Sequence, residues 1–205
     1  MKKLYAFDLD GVIIDSLPNM EISWGVVKLN HNIEIPFSEY AKHIGKPFFD
    51  ILDELGIKED QQKIKNTYDE ASTMSLDNVK IYPGVIETLN ALKEAGCKIA
   101  ICTSKDMARV KHVLASLMLD GEKLPDFDWV CAPKQGLRGK PSPDQLLYTM
   151  AFCNVDPIDT VYIGDMQSDY ECAQRAGVDF IHANYGYGQV KCEVSVDQIS
   201  QVILP

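Results

Sequence analysis

The sequence predicts an α/β protein: a doubly wound parallel sheet core carrying an inserted all-helical cap. Two observations carry this. Short runs of apolar and β-branched residues alternate with helical patterns along most of the chain, and strand alternating with helix over such distances implies a parallel sheet covered on both faces. Between Ser16 and about Lys80 the alternation stops and only helical periodicity remains. The expected organisation is therefore a core of residues 1–15 and 81–205 with a helical cap at 16–80.

Element by element, the first strand falls at residues 4–7, an apolar run that stops at Asp8. Helical spacing follows at 20–29, 48–55 and 61–75, with no convincing strand among them. The chain returns to the core at Ile81-Tyr82-Pro83-Gly84, where proline and glycine punctuate it. A helix at 85–95 stopped by Gly96, a strand at 98–102 and a helix at 107–119 closing near Gly121 come next. After a strand at 129–131, Ser142-Pro143-Asp144-Gln145 reads as a capping box: Ser142 caps, Pro143 takes the first helical position, and the helix runs to about Asn154. Strands at 160–163 and 180–182 complete the pattern, with Ser168 and Glu171 spaced as a second capping box between them.

Composition narrows the function classes. With 46% apolar and 24% charged residues the chain is neither disordered nor collagen-like. Twenty Lys and Arg against thirty Asp and Glu give a net charge of −10, which repels polyanions, so neither nucleic acid nor acidic membrane is expected as a partner. A small phosphorylated substrate requires a metal ion or local Lys and Arg to invert that field at one spot. No secretory apolar region follows the opening Met1-Lys2-Lys3, no run is long enough to span a bilayer, and six cysteines sit singly without a C-x-x-C pair. These features fit free thiols and a cytoplasmic location, in a monomer or a homodimer.

The chemistry concentrates where strands end. In Phe7-Asp8-Leu9-Asp10-Gly11-Val12, alternation along a strand sends Asp8 and Asp10 to one side, and two carboxylates so close repel unless a cation joins them or one keeps its proton. A calcium loop fits badly, because Gly11 falls at its fourth position and Asn19 at its twelfth. Thr103 and Ser104 follow the second core strand, and a hydroxyl beside the free N–H groups of a turn can anchor phosphate; both residue types are also ordinary turn formers. Lys140, in a loop stiffened by Pro141 and Pro143, offers a fixed point charge, or is simply a surface lysine. Asp165 and Asp169 follow Gly164 at the end of a further strand. In an open parallel sheet all of these lie at one edge, where ligands bind.

At these residues the sequence resembles the haloacid dehalogenase superfamily. Asp8-Leu9-Asp10-Gly11-Val12-Ile13-Ile14-Asp15-Ser16 is similar to its first motif, Thr103 to its second, Lys140 in Gly-Lys-Pro-Ser-Pro-Asp to its third, and Gly164-Asp165 through Asp169 to its fourth. The order and spacing hold over nearly the whole chain. The helical insertion, Ile44-Gly45-Lys46-Pro47 and Gly186-Tyr187-Gly188 resemble the phosphoglycolate phosphatase and β-phosphoglucomutase subgroup, the phosphatase branch more closely. The resemblance implies a Rossmann-like core and a phosphatase of a small phosphorylated metabolite, either a phosphoglycolate-like acid or a sugar phosphate. Asp8 would be the nucleophile that forms an aspartyl-phosphate, and Asp10 the acid and base. Thr103, Ser104 and Lys140 would bind phosphate, and Mg²⁺ would sit on Asp8, the carbonyl of Asp10 and Asp165, with Asp169 behind them. His43, Gly45 and Lys46 in the cap would face the leaving group, although they read equally well as solvated cap surface. A phosphosugar mutase is the alternative enzyme, and a catalytically idle binding protein on the same fold a third. Asp10 argues against dehalogenation, since that branch lacks it.

Overall fold

The computed structural model describes residues 1–118 and 121–203. Strand β1 (Leu4–Phe7) is buried on both faces, as a central parallel strand must be. The two-residue strand β2 (Ile14–Asp15) then leads into helices α1 (Leu17–His31), α2 (Phe37–Ala41), α3 (Phe48–Glu54) and α4 (Gln61–Met74), and strand β3 (Lys80–Ile81) brings the chain back. Helix α5 (Val85–Glu94), strand β4 (Lys98–Cys102), helix α6 (Met107–Ser116) and strand β5 (Trp129–Cys131) follow. Helix α7 (Asp144–Cys153), strand β6 (Thr160–Gly164), helix α8 (Gln167–Ala176), strand β7 (Asp179–Ala183) and strand β8 (Ser195–Val196) end the described fold. Among the described residues no helix is long and apolar enough to cross a membrane.

Six strands form one parallel sheet in the order β5-β4-β1-β6-β7-β8. The chain leaves β1 in one direction, to β4 and β5, and returns on its other side through β6, so the strand order reverses at β1. That reversal opens a crevice at the carboxyl ends of β1, β4 and β6. Alternation within the strands divides the core. Tyr5, Phe7, Ile99, Ile101, Val161 and Ile163 pack on the α5 side, while Leu4, Ala6, Ala100, Cys102 and Tyr162 pack with Leu146, Met150, Cys172 and Ala173 of α7 and α8. Asp8 continues the second set, which aims it at the starts of α7 and α8.

The helical segment has its own apolar centre, in which Trp24, Tyr40, Ile51, Leu52, Ile64 and Tyr68 are buried together. Asn19 of α1 and Ser72 of α4 pair reciprocally inside it: the Asn19 amide donates to the Ser72 carbonyl at 2.9 Å, and the Ser72 hydroxyl donates to Asn19 Oδ1 at 2.7 Å. Strands β2 and β3 pair antiparallel at its neck, Ile14 opposite Ile81 and Asp15 opposite Lys80.

Three details differ from the sequence reading. The first capping box does not form. Helix α7 starts one residue later than expected, Ser142 Oγ donates instead to the Asp144 carboxylate at 2.6 Å, and Gln145 is buried with its amide on the Thr103 carbonyl at 3.1 Å. The second fails as well: α8 starts before Ser168, and Asp169 Oδ2 accepts the Met166 N–H at 3.0 Å while Glu171 pairs with Arg175. Gln145 is thus drawn to the site, while Asp169 takes over at the start of α8 the capping contact expected of Glu171. Helix α6 ends at Ser116, short of the expected Leu119, which lies outside the described residues.

Candidate active site

The sharp turn after β1 sets the geometry. Asp8 N–H still donates to the Ile163 carbonyl of β6 at 2.8 Å, so Asp8 is held in register with the sheet. Gly11 then takes φ +82°, and a Cβ there would lie 2.2 Å from Asp165 Oδ2. Glycine is required twice over, by the left-handed backbone and by the carboxylate packed against it.

Asp8, Asp165 and Asp169 are all buried and bring one carboxylate oxygen each to within 4.8 Å of one another. Lys140 lies against them, its ammonium 3.1 Å from Asp8 Oδ1 and 2.6 Å from Asp169 Oδ1. Burial works against that charge, but the Asp169 and Asp8 carboxylates more than offset it and hold the ammonium well above the usual lysine range. Tyr162 donates to the Cys102 carbonyl at 2.9 Å and accepts from Lys140 at 3.1 Å, which fixes the lysine tip. For Asp8, burial dominates and raises its carboxyl, Lys140 pulls it down and Asp169 pushes it up, with a net value of about 7. Burial and the same neighbouring carboxylates push Asp165 well above the carboxylate range.

These residues fit a hard divalent cation. Asp165 Oδ2 accepts the Tyr187 N–H at 2.7 Å, but its Oδ1 is buried with no hydrogen-bond partner among the described residues. Such an atom calls for a ligand, and an all-oxygen set of carboxylates suits Mg²⁺. The Asp10 side chain lies outside this triad: its Oδ1 accepts from the Ser16 hydroxyl and lies 3.0 Å from the Lys105 ammonium.

A cavity of about 180 Å³ joins Asp8 and Asp10 to the helical segment. Thr103, Ser104, Gly45 and Lys46 line it, and His43 does not. Ser104 Oγ donates to the Gly45 carbonyl at 2.6 Å, so this hydroxyl is already committed to the loop between α2 and α3. Lys46 reaches Glu54 at 3.0 Å. Thr103 is buried beside the carboxylates, its Oγ1 accepting the Lys105 N–H at 3.1 Å.

The sequence reading missed Lys105, Arg109 and Tyr187. Lys105 directly follows the Thr103-Ser104 pair and Arg109 comes four residues later, a spacing that could have placed both on one side of the α6 start. Tyr187 joins the site by two routes, its N–H on Asp165 and its hydroxyl accepting the Ser16 N–H at 2.7 Å. Gly186 and Gly188 permit this approach, since a Cβ at either would fall within 2.6 Å of Asp165.

Known proteins share this architecture. A phosphoglycolate phosphatase of Haemophilus influenzae is 29% identical, aligned over 90% of this chain and 87% of the relative. Phosphoglycolate phosphatase 1 of Pseudomonas aeruginosa is 26% identical over 91% and 71%, respectively. Among solved structures, one described as a haloacid dehalogenase-like hydrolase from Bacteroides fragilis superposes with a TM-score of 0.88 at 24% identity, covering 99% of this chain and 100% of that one. A CbbY variant from Rhodobacter sphaeroides, in complex with xylulose bisphosphate, gives 0.85 at 16% identity over 99% and 97%, so the fold is shared. The haloacid dehalogenase-like hydrolase family model matches residues 5–183, which takes in the ends of β1, β4 and β6, and the chain belongs to that family.

Proposed function

We propose that this hydrolase is a Mg²⁺-dependent phosphatase of a small phosphorylated metabolite, working through an aspartyl-phosphate on Asp8, with residues 1–15 and 81–205 as its core and 16–80 as its cap. The supporting observation is the placement of Asp8: at the sheet's switch point, in contact with Lys140, and on the wall of a cavity that Asp10 also lines. Asp8 attacks phosphorus, and the bond to the leaving oxygen breaks as Asp10 delivers a proton to it. Asp10 then takes a proton from water, which attacks the aspartyl-phosphate, frees inorganic phosphate and restores Asp8. Both contacts to Asp10 fall on Oδ1, which leaves Oδ2 for that exchange. Thr103 and Lys140 hold the transferring oxygens. Mg²⁺ on Asp8, the Asp10 carbonyl and Asp165, with Asp169 behind, would supply positive charge that offsets the negative charge of the phosphoryl oxygens.

Gly45 and Lys46 would meet the leaving group from the cap, as their place in the cavity wall supports; His43 has no such support. A screen of phosphate monoesters with Mg²⁺, led by phosphoglycolate because the relatives carry its name, should release inorganic phosphate with no bisphosphorylated activator. Transfer between sugar hydroxyls with no phosphate released would overturn this reading.

A further inference from the structure

The cavity wall carries cations with hydrogen-bonding capacity that the protein does not use. Lys46, Lys65, Lys105 and Arg109 line it together with the carboxylates of Asp8, Asp10 and Asp106, in a chain whose net charge is −10. Lys46 is engaged by Glu54, and Lys65 by Asp69 and Asp106. The other two differ. Lys105, only 5% exposed, touches Asp10. Arg109, 17% exposed, has five N–H donors, and the acceptor found for them among the described residues is Ser72 Oγ at 2.8 Å. Its Nε lies 3.6 Å from Asp69 Oδ1, too far for a hydrogen bond. The guanidinium sits 5.0 Å from the centre of the Tyr68 ring, which holds it in place.

A buried-edge guanidinium fixed by an aromatic ring, with donors to spare and a second ammonium four residues away, is a receptor for a planar anion. We propose that Arg109, assisted by Lys105, determines specificity by binding a carboxylate at the far end of the leaving group, so that preferred substrates are phosphate monoesters of short acids. The phosphoryl end rests on the phosphatase reading above. Tyr40, Ile44, Phe48 and Tyr68 add an apolar stretch of wall, and about 180 Å³, shared with the phosphoryl group, suits a short tail. This moves recognition of the acid from the cap loop to the start of core helix α6, where Lys105 also touches the proposed proton donor.

The test is binding without turnover. Phosphonopropionate and propylphosphonate are non-hydrolysable analogues that differ only in carrying a carboxylate or a methyl at the far end, and each is titrated calorimetrically into the Mg²⁺-loaded protein. The wild type should favour the carboxylate by about ten-fold or more. Arg109→Gln should bring the ratio to within about two-fold of unity, and Arg109→Lys, which keeps charge without the fork, should fall between. If Arg109 only braces α4 against α6, its loss weakens both ligands equally; an unchanged ratio in Arg109→Gln, or a wild-type ratio near one, overturns the proposal. Should Arg109→Gln fail to fold, an Arg109→Lys ratio equal to wild type overturns it instead. Tighter binding of ethylenebisphosphonate than of phosphonopropionate would reject the carboxylate as the preferred anion. A wild type that releases phosphate from no monoester overturns the phosphatase reading, yet leaves these binding ratios readable.

Discussion

Single residues at this site answer to opposing forces. Asp8 is buried against two other carboxylates, and one ammonium does not compensate all three. Replacing it with Asn keeps the shape and removes a charge that the fold tolerates poorly. Asp8→Asn should therefore lose about a thousand-fold or more in kcat while its melting temperature holds or rises; a mutant that keeps appreciable turnover would strip Asp8 of the nucleophile's role. Asp8, Asp10, Thr103, Asp165 and Asp169 could be picked out from the sequence because each follows a strand end or opens a helix, where side-chain direction is set locally, and Lys140 because Pro141 and Pro143 stiffen its loop. For Lys105, Arg109 and Tyr187 the sequence offered a spacing and a Gly-Tyr-Gly motif but no role, because the groups that give them one, Asp10, Tyr68 and Asp165, come from distant parts of the chain.

Among the elements, α6 bears more than a connecting helix would. Its N-cap, Asp106, accepts the Arg109 N–H at 3.1 Å and also lies 3.2 Å from Lys65 of α4, so one carboxylate both starts α6 and fastens α4 to it. Asp106→Ala should cost about 1–2 kcal/mol in urea unfolding, mostly from the cap, since the half-exposed ion pair adds little. A loss well under that range would mean that α6 starts without its cap. The larger elements were legible from apolar spacing: α5, β4 and β5 fall within a residue of the expected bounds. The short ones were not. Strands β2, β3 and β8 have two residues each, too few to show alternation, and α2 has five, too few to show a helical period; tertiary pairing defines them. The two expected capping boxes misled for different reasons: Gln145 satisfied the spacing of a cap but found its partner in the site, whereas α8 begins before Ser168, which puts Asp169 rather than Glu171 in the capping position.

For the whole molecule, the acidic cluster couples stability to pH. Folded Asp8 titrates near 7 rather than near 3.8, so between those values the folded chain holds a proton that the unfolded chain has released. Stability then falls as pH rises through that window, the reverse of a carboxylate held low by a partner. Asp165, raised by burial and the same neighbours, adds to the effect. In chelator the melting temperature should decline from about pH 4 to about pH 7, and Mg²⁺ should raise it more at about pH 7.5 than at about pH 5, where protons compete for the same oxygens. A flat profile in chelator would remove the carboxylate cluster as its source. The sheet order also governs assembly on the ribosome. Strand β1 is made first, yet it lies between β4 and β6, pairing Leu4 with both Lys98 and Thr160. This apolar strand therefore emerges with neither edge covered, and it gains β4 on one edge only about halfway through the chain and β6 on the other only later still. Newly made chains should depend on holding chaperones through that interval, and because the last strand to flank β1 leads into Asp165, the carboxylate cluster cannot assemble before β6 and the start of α8 have been made.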